Sequence, residues 1–196
     1  MNTETHRNVS ITAICVLNWN NYPATRRCLR SIMRLVTSNG IRVIVVDNHS
    51  DDGSYELLRQ GVDSNREPQL TLLRTDKNRG YAGGNNIAIR AALEGDDVEF
   101  IWILNNDTQV APAALDALLK CARKRKDVGV WGSTLVNQES GRLESAGGCF
   151  YYSFFAAYRC YLAGKTVSEA PQARDVPLDY ISGASMFVRS NVFRDV

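Results

Sequence analysis

The sequence predicts an α/β fold, a mostly parallel sheet flanked by helices, in a single domain over residues 1–196. Three observations predict it. Short β-rich runs alternate with longer segments of helical period. The runs at residues 11–17, 41–46 and 100–104 are nearly all apolar, as strands covered on both faces are. Each is followed by a polar cluster, namely Asn18-Trp19-Asn20, Asp47-Asn48 and Asn105-Asn106-Asp107. Open parallel sheets collect ligands beyond the carboxyl ends of their strands, so these clusters are expected to face one crevice.

The elements follow in order. After the strand at 11–17, Pro23 suits the first turn of a helix. Cys28, Leu29, Ile32, Met33, Leu35 and Val36 form its apolar stripe, and Gly40 is read as its end. Residues 41–46 make the second strand. The turn cluster at 50–54 offers Asp51 and Asp52 as caps for a short helix at 55–59, and His49 reads as an exposed turn residue. A third strand covers 70–73. The helix at 82–93 is entered through Gly80 and Gly83-Gly84, the fourth strand covers 100–104, a helix covers 112–126, and a strand lies near 128–131. Between 151 and 161, Tyr151, Tyr152, Phe154, Phe155, Tyr158 and Tyr161 show no clear period. Core packing or a lid-like insertion is the favoured reading there, over a sugar- or lipid-contacting surface. Residues 163–177 read as a polar loop, and a last strand at 186–188 precedes the start of a helix. Residues 1–9 are expected to be disordered.

Composition bounds the function. At 44% hydrophobic and 22% charged, the chain is an ordinary globular one. A net charge of +2 is too small and dispersed for a nucleic-acid footprint. The run Arg123-Lys124-Arg125-Lys126 reads as a solvated helix terminus whose cations complement the dipole. Five scattered cysteines without a C-x-x-C pair read as buried reduced thiols, which points to a cytoplasmic setting. No zinc cluster is expected from them. The first ten residues hold no apolar signal core, and no run approaches the ~20 apolar residues that span a bilayer. Peripheral contact at the inner face of a membrane is the mode of association this leaves.

Several clusters have chemistry in reach. Asp107 sits at the tip of a buried strand, which aims a carboxylate rigidly and suits Mg2+ or Mn2+ shared with substrate phosphates. Capping of the following turn is the competing reading. Asp47, at another strand end, suits hydrogen bonds from a ribose or a nucleobase N–H. The glycine-rich entry at 76–86 brings backbone and helix N–H groups close to a ligand. It departs from the G-x-G-x-x-G fingerprint, and no G-x-x-x-x-G-K-[ST] loop occurs.

Taken in order, five segments resemble glycosyltransferase family 2, the inverting enzymes with the GT-A (Rossmann-like) fold, and in particular its bacterial rhamnosyltransferase-like branch. They are Val16-Leu-Asn18-Trp-Asn20, Val46-Asp47-Asn-His-Ser50-Asp-Asp-Gly53-Ser54, Asn78-Arg-Gly80-Tyr-Ala-Gly83-Gly84-Asn85-Asn86, Leu104-Asn105-Asn106-Asp107-Thr108 and Tyr180-Ile-Ser182-Gly183-Ala-Ser-Met-Phe-Val188.

The resemblance implies a donor of the nucleotide-diphosphate sugar kind, dTDP-rhamnose or a UDP-sugar. It implies a glycan or lipid-linked acceptor and a part in cell-surface polysaccharide biosynthesis. Asn18, Trp19, Asn20 and Asp47 would hold the nucleoside, while Asn78, Gly83, Gly84 and Asn85 frame the pocket. Asn105, Asn106 and Asp107 occupy the family's D-x-D position, with Asp107 as the one acid left to bind Mn2+ or Mg2+. Ser182, Gly183 and Ala184 would line the acceptor side. The family's general base lies downstream of this last strand, so it is expected beyond Val196, and the chain is read as a C-terminally truncated fragment. Two other classes stay open: a nucleotide-binding or interaction module that has lost catalysis, and a nucleotidyltransferase. The second is disfavoured because 18–23 is not a glycine-rich basic loop.

Overall fold

In the computed structural model, residues 10–63, 70–95, 97–170 and 176–194 are described. The expected disorder of residues 1–9 lies outside them. The strands are β1 Ile11–Asn18, β2 Gly40–Asp47, β3 Leu70–Arg74, β4 Val98–Asn105, β5 Val130–Gly132, β6 Thr134–Val136, β7 Leu143–Ala146, β8 Cys149–Tyr152, β9 Ala157–Cys160 and β10 Ser185–Arg189. The helices are α1 Tyr22–Ile32, α2 Ser54–Asp63, α3 Gly80–Leu93, α4 Ala114–Lys124 and α5 Ser190–Arg194.

Six strands form one sheet in the order β3-β2-β1-β4-β10-β5. β1 pairs in parallel with both β2 and β4, and β2 with β3. β10 runs antiparallel between β4 and β5. The mostly parallel sheet is thus observed, with one reversed strand that local sequence does not announce.

Both faces are covered, which is why the central strands are apolar throughout. Ile14, Val16, Val45, Phe100, Trp102 and Phe187 pack against α1, α2 and α4 through Cys28, Leu29, Ile32, Leu58, Leu115 and Leu119. Alternate residues, Ala13, Cys15, Ile44, Val46, Ile101 and Ile103, meet Ala88, Ile89 and Ala92 of α3 on the other face. The strand period of two divides the core in this way.

Some boundaries differ from expectation. α1 starts where Asn21 accepts from the Ala24 N–H and Pro23 sits in the first turn. It stops at Ile32, not near Gly40, which instead opens β2. Met33 and Val36 are exposed. The tight turn Arg34 N to Ser31 O, and the tie of Val36 N to Pro112 O, end the helix early. Leu35 still packs on the core from the turn, which is how it imitates a helical stripe.

The 151–161 segment is a hairpin, not core. β8 and β9 pair antiparallel and join through a 3-10 turn at Ser153–Phe155, with Ala156 left-handed at φ 48°. Every residue from 151 to 159 is exposed. The core-packing reading is therefore corrected: antiparallel pairing satisfies the backbone while the side chains project outward.

The expectation of reduced thiols is corrected as well. Cys149 and Cys160 face each other across the hairpin and are disulfide-bonded. Cys15 and Cys28 are buried and free, as read. The cysteines thus no longer argue for a reducing compartment. Among the described residues no helix is long and apolar enough to cross a membrane.

Candidate functional site

The carboxyl ends of β1, β2 and β4 point the same way, so their terminal residues share a rim. Asn18 and Asp47 are register partners and both are fully buried. Asn18 Nδ2 donates to Asp47 Oδ2 at 2.8 Å and to Ser50 Oγ at 3.1 Å. Asp47 Oδ1 accepts from the Ser50 N–H at 3.0 Å and lies 3.6 Å from Arg74 Nε. Burying this side chain is tolerable because both oxygens are engaged. Arg74 in turn stacks over Tyr55 and donates to Ser50 O, which locks the loop after β2.

From Asn18 the network runs both ways along the rim. Thr25 Oγ1 on α1 donates to Asn18 Oδ1 at 2.6 Å, and Asn106 Nδ2 donates to Thr25 Oγ1 at 3.0 Å. In the other direction, Asn48 N donates to Asn18 O. Asn48 Nδ2 reaches Asn78 Oδ1 at 3.0 Å, and Asn48 Oδ1 accepts from the Arg79 N–H at 2.9 Å. Asn78 Oδ1 also takes the Gly80 N–H, at the mouth of α3. Asn20, at φ 49°, exchanges two hydrogen bonds with Asp51, so Asp51 braces the first loop instead of capping α2. Asp52 Oδ1 does accept from the Ser54 N–H at the start of α2. Trp19 is left 56% exposed beside this rim.

α3 enters through Gly80, at φ 68°, and lies flush on β1: a Cβ on Gly84 would sit 2.4 Å from Leu17 Cδ1. Gly83 is partly buried on the same turn. Asn85 is buried, with Nδ2 donating to Tyr81 O and Oδ1 lacking a partner.

The segment 182–184 meets the same rim from the far side. Ala184 O accepts from the Asn105 N–H at 3.1 Å and from Thr108 Oγ1 at 3.2 Å. Gly183 O accepts from Tyr81 Oη at 2.7 Å. Behind it, Trp102 Nε1 donates to Ser185 Oγ, which also pairs with Ser133 Oγ.

Asp107 is exposed in the turn after β4, closed by Thr108 N to Asn105 O. Its charge reaches Cys28, whose thiol is pushed up to about 12 by burial first and by Asp107 second. Asn105 Oδ1 is buried without a hydrogen-bond partner. Among the described residues no group of three His, Cys, Asp or Glu side chains is gathered for a metal. One exposed carboxylate, two residues from an unpaired amide oxygen, is donor chemistry for a hard cation completed by substrate phosphates. It does not fit a dedicated cage.

The structure thus joins Asn18, Asn20, Asp47, Asn78 and Asn106 directly or through one residue, and separately ties Asn105 to Ala184 and Tyr81 to Gly183. Asn48 belongs to a cluster the sequence marks, while Ser50, Thr25 and Tyr81 are joints it does not single out. Each is a short polar or Tyr residue within a few positions of a motif, and only the fold reveals its partner. His49 is exposed at φ 64°, with Nδ1 3.3 Å from Thr75 O, as a turn residue should be.

Several known proteins are similar to this chain. An N-acetylglucosaminyl-diphospho-decaprenol L-rhamnosyltransferase of Mycobacterium tuberculosis (strain CDC 1551 / Oshkosh) is 25% identical over 95% of this chain. The chain spans 64% of that relative's length. A putative colanic acid biosynthesis glycosyl transferase, WcaA of Escherichia coli K12, is 30% identical over 58% of this chain and 38% of its own.

Among solved structures, a Pyrobaculum calidifontis mannosyltransferase in complex with GDP-Man and Mn2+ aligns with a TM-score of 0.55 and 25% identity. That alignment covers 64% of this chain and 35% of the other. S. aureus TarS 1–349 in complex with UDP-GlcNAc aligns with a TM-score of 0.62 over 94% of this chain and 46% of the other. Its 16% identity speaks to fold alone, which is GT-A. The profile of Glycosyl transferase family 2 matches residues 13–193, from the first buried strand to the last helix. With the rim built at the strand ends that this match includes, the chain belongs to glycosyl transferase family 2.

Proposed function

We propose that the chain binds a nucleoside-diphosphate sugar, of the dTDP-rhamnose or UDP-sugar kind, for inverting transfer to a hydroxyl of a glycan or lipid-linked acceptor. The observation that carries this reading is the unbroken hydrogen-bonded line from Asn78 through Asn48, Asn18 and Thr25 to Asn106. It spans the ends of three adjacent strands, as a ligand with a nucleoside at one end and a diphosphate at the other requires. The mycobacterial relative, named for rhamnosyl transfer to a decaprenol-linked sugar, and structures holding GDP-Man or UDP-GlcNAc support the donor class.

In this reading Trp19 and Asn20 meet the nucleoside, and the buried Asn18 and Asp47 brace that end from beneath. Asn78, Gly83, Gly84 and Asn85 frame the sugar-nucleotide pocket, while Asn105 and Asn106 carry it toward the diphosphate. Asp107 would hold Mn2+ or Mg2+, which would supply positive charge against the diphosphate leaving group. Ser182, Gly183 and Ala184 face the acceptor; Gly183 O is tied to Tyr81 and Ala184 O to Asn105 and Thr108, so the two substrates are held against one frame. The transfer also needs a general base to take the proton of the acceptor hydroxyl, a role that supplies about 10²–10⁴-fold. Work on cell-surface polysaccharide at the inner, cytoplasmic face of a membrane belongs to the same proposal.

Thermal melts with UDP, dTDP and GDP, each with and without Mn2+, test it. A matching nucleotide at ~100 times its Kd stabilises by roughly 2.7 kcal/mol, a shift readily measured. Unchanged melting with all three, metal present, contradicts donor binding.

A further inference from the structure

We propose that the β8–β9 hairpin is a membrane-docking surface, seated in the headgroup region of an anionic bilayer. Residues 151–159 are exposed without a break. Phe154 and Phe155 form the tip at 90% and 75% exposure, their rings edge to face. Tyr151 and Tyr158 are register partners and share one face, and Tyr158 meets the Tyr180 ring edge-on. An aromatic patch of this size left to water needs an occupant.

The occupant is argued from shape and charge. The patch is a two-stranded protrusion with aromatics at its end, so it presents a wedge and not a pocket for a sugar. Apolar Phe at the tip with Tyr hydroxyls behind matches the graded polarity of a bilayer interface, where aromatic side chains of this kind concentrate. From Gly148 to Lys165 there is no Asp or Glu, while Arg159 and Lys165 are cationic. Arg159 is exposed on β9. Lys165 is paired with Glu169, and Arg142 donates to Gly164 O at the base. Asp179, beside β8, is taken up by the Tyr151 N–H. The net attraction to anionic headgroups therefore falls chiefly on Arg159, with the aromatics supplying most of the binding.

The hairpin is held at its root by the Cys149–Cys160 bond, and Cys149 N donates to Tyr180 O. Two residues on from Tyr180 lies Ser182, so the root of the hairpin adjoins the 182–184 segment proposed for the acceptor side. That assignment rests on the proposed lipid-linked acceptor, but the docking surface itself does not.

Co-sedimentation with phosphatidylcholine vesicles, with and without phosphatidylglycerol, is the test, run on the wild-type chain, F154S/F155S and R159Q. Wild type is expected to bind, and the double Phe substitution to weaken binding about tenfold or more. R159Q is expected to weaken it about fivefold on phosphatidylglycerol vesicles only. Absence of wild-type binding, or equal binding by F154S/F155S, overturns the proposal. So does a concentration-dependent dimer that the same double substitution abolishes without vesicle binding, which assigns the patch to a second copy. Nucleotide melts on the same proteins report the donor site separately: unchanged nucleotide shifts with lost vesicle binding show that the variants are folded and that the two readings stand or fall apart.

Discussion

Asp47 occupies a place where a carboxyl group has no contact with water, and its neighbours explain why it is tolerated. Asn18, the Ser50 N–H and Arg74 all direct donors at it. Asp47→Ala strands these donors together, which is expected to cost about 2–4 kcal/mol, with the Arg74 share reduced by its partial exposure. Urea unfolding measures this, and a loss below about 0.5 kcal/mol would show that the network adds little. Thiol chemistry offers a second check. Burial pushes Cys15 up to about 12, and Cys28 rises to about 12 for the same reason with help from Asp107. A thiol reacts as its thiolate, so at pH 8 both are inert in the folded protein. Cys149 and Cys160 are bonded, which leaves the half-buried Cys121. One fast-reacting thiol in the native protein and three after unreduced unfolding are expected; five after unfolding contradict the disulfide.

At the scale of elements, packing against backbone leaves some positions no latitude. A Cβ on Gly132 in β5 would lie 1.6 Å from Gly147 O, so Gly132→Ala must part the 132–133 and 147 segments. Destabilisation of about 2 kcal/mol or more is expected in thermal or urea melts. The central strands and α3 were legible in the sequence because double-sided burial leaves uninterrupted apolar runs and because Gly80, Gly83 and Gly84 mark a close helix entry. The end of α1 was not, since Leu35 fills the core from a turn and imitates another helical step. Nor was β10 legible as an antiparallel strand: its direction is set by pairing with β4 and β5 and by the Trp102–Ser185–Ser133 hydrogen bonds, all distant in sequence. The hairpin escaped for a related reason. Its aromatics point outward, so the alternation that marks a half-buried strand never forms.

Across the whole molecule, three polar clusters far apart in sequence become one rim because β1 is flanked in parallel by β2 and β4. That convergence could be read from the order of apolar runs and polar ends. The joints between clusters could not, because Thr25, Asn48 and Tyr81 acquire meaning only when the sheet brings their partners near. In the proposed function Asp107, on this rim, couples a divalent cation to the diphosphate of a nucleotide. Calorimetric titration of a nucleoside diphosphate into wild type and Asp107→Ala, each with and without Mn2+, tests it most directly. Mn2+ is expected to strengthen wild-type binding by about tenfold or more, and the variant to lose this gain while keeping its metal-free affinity. The same Mn2+ gain in Asp107→Ala would contradict it.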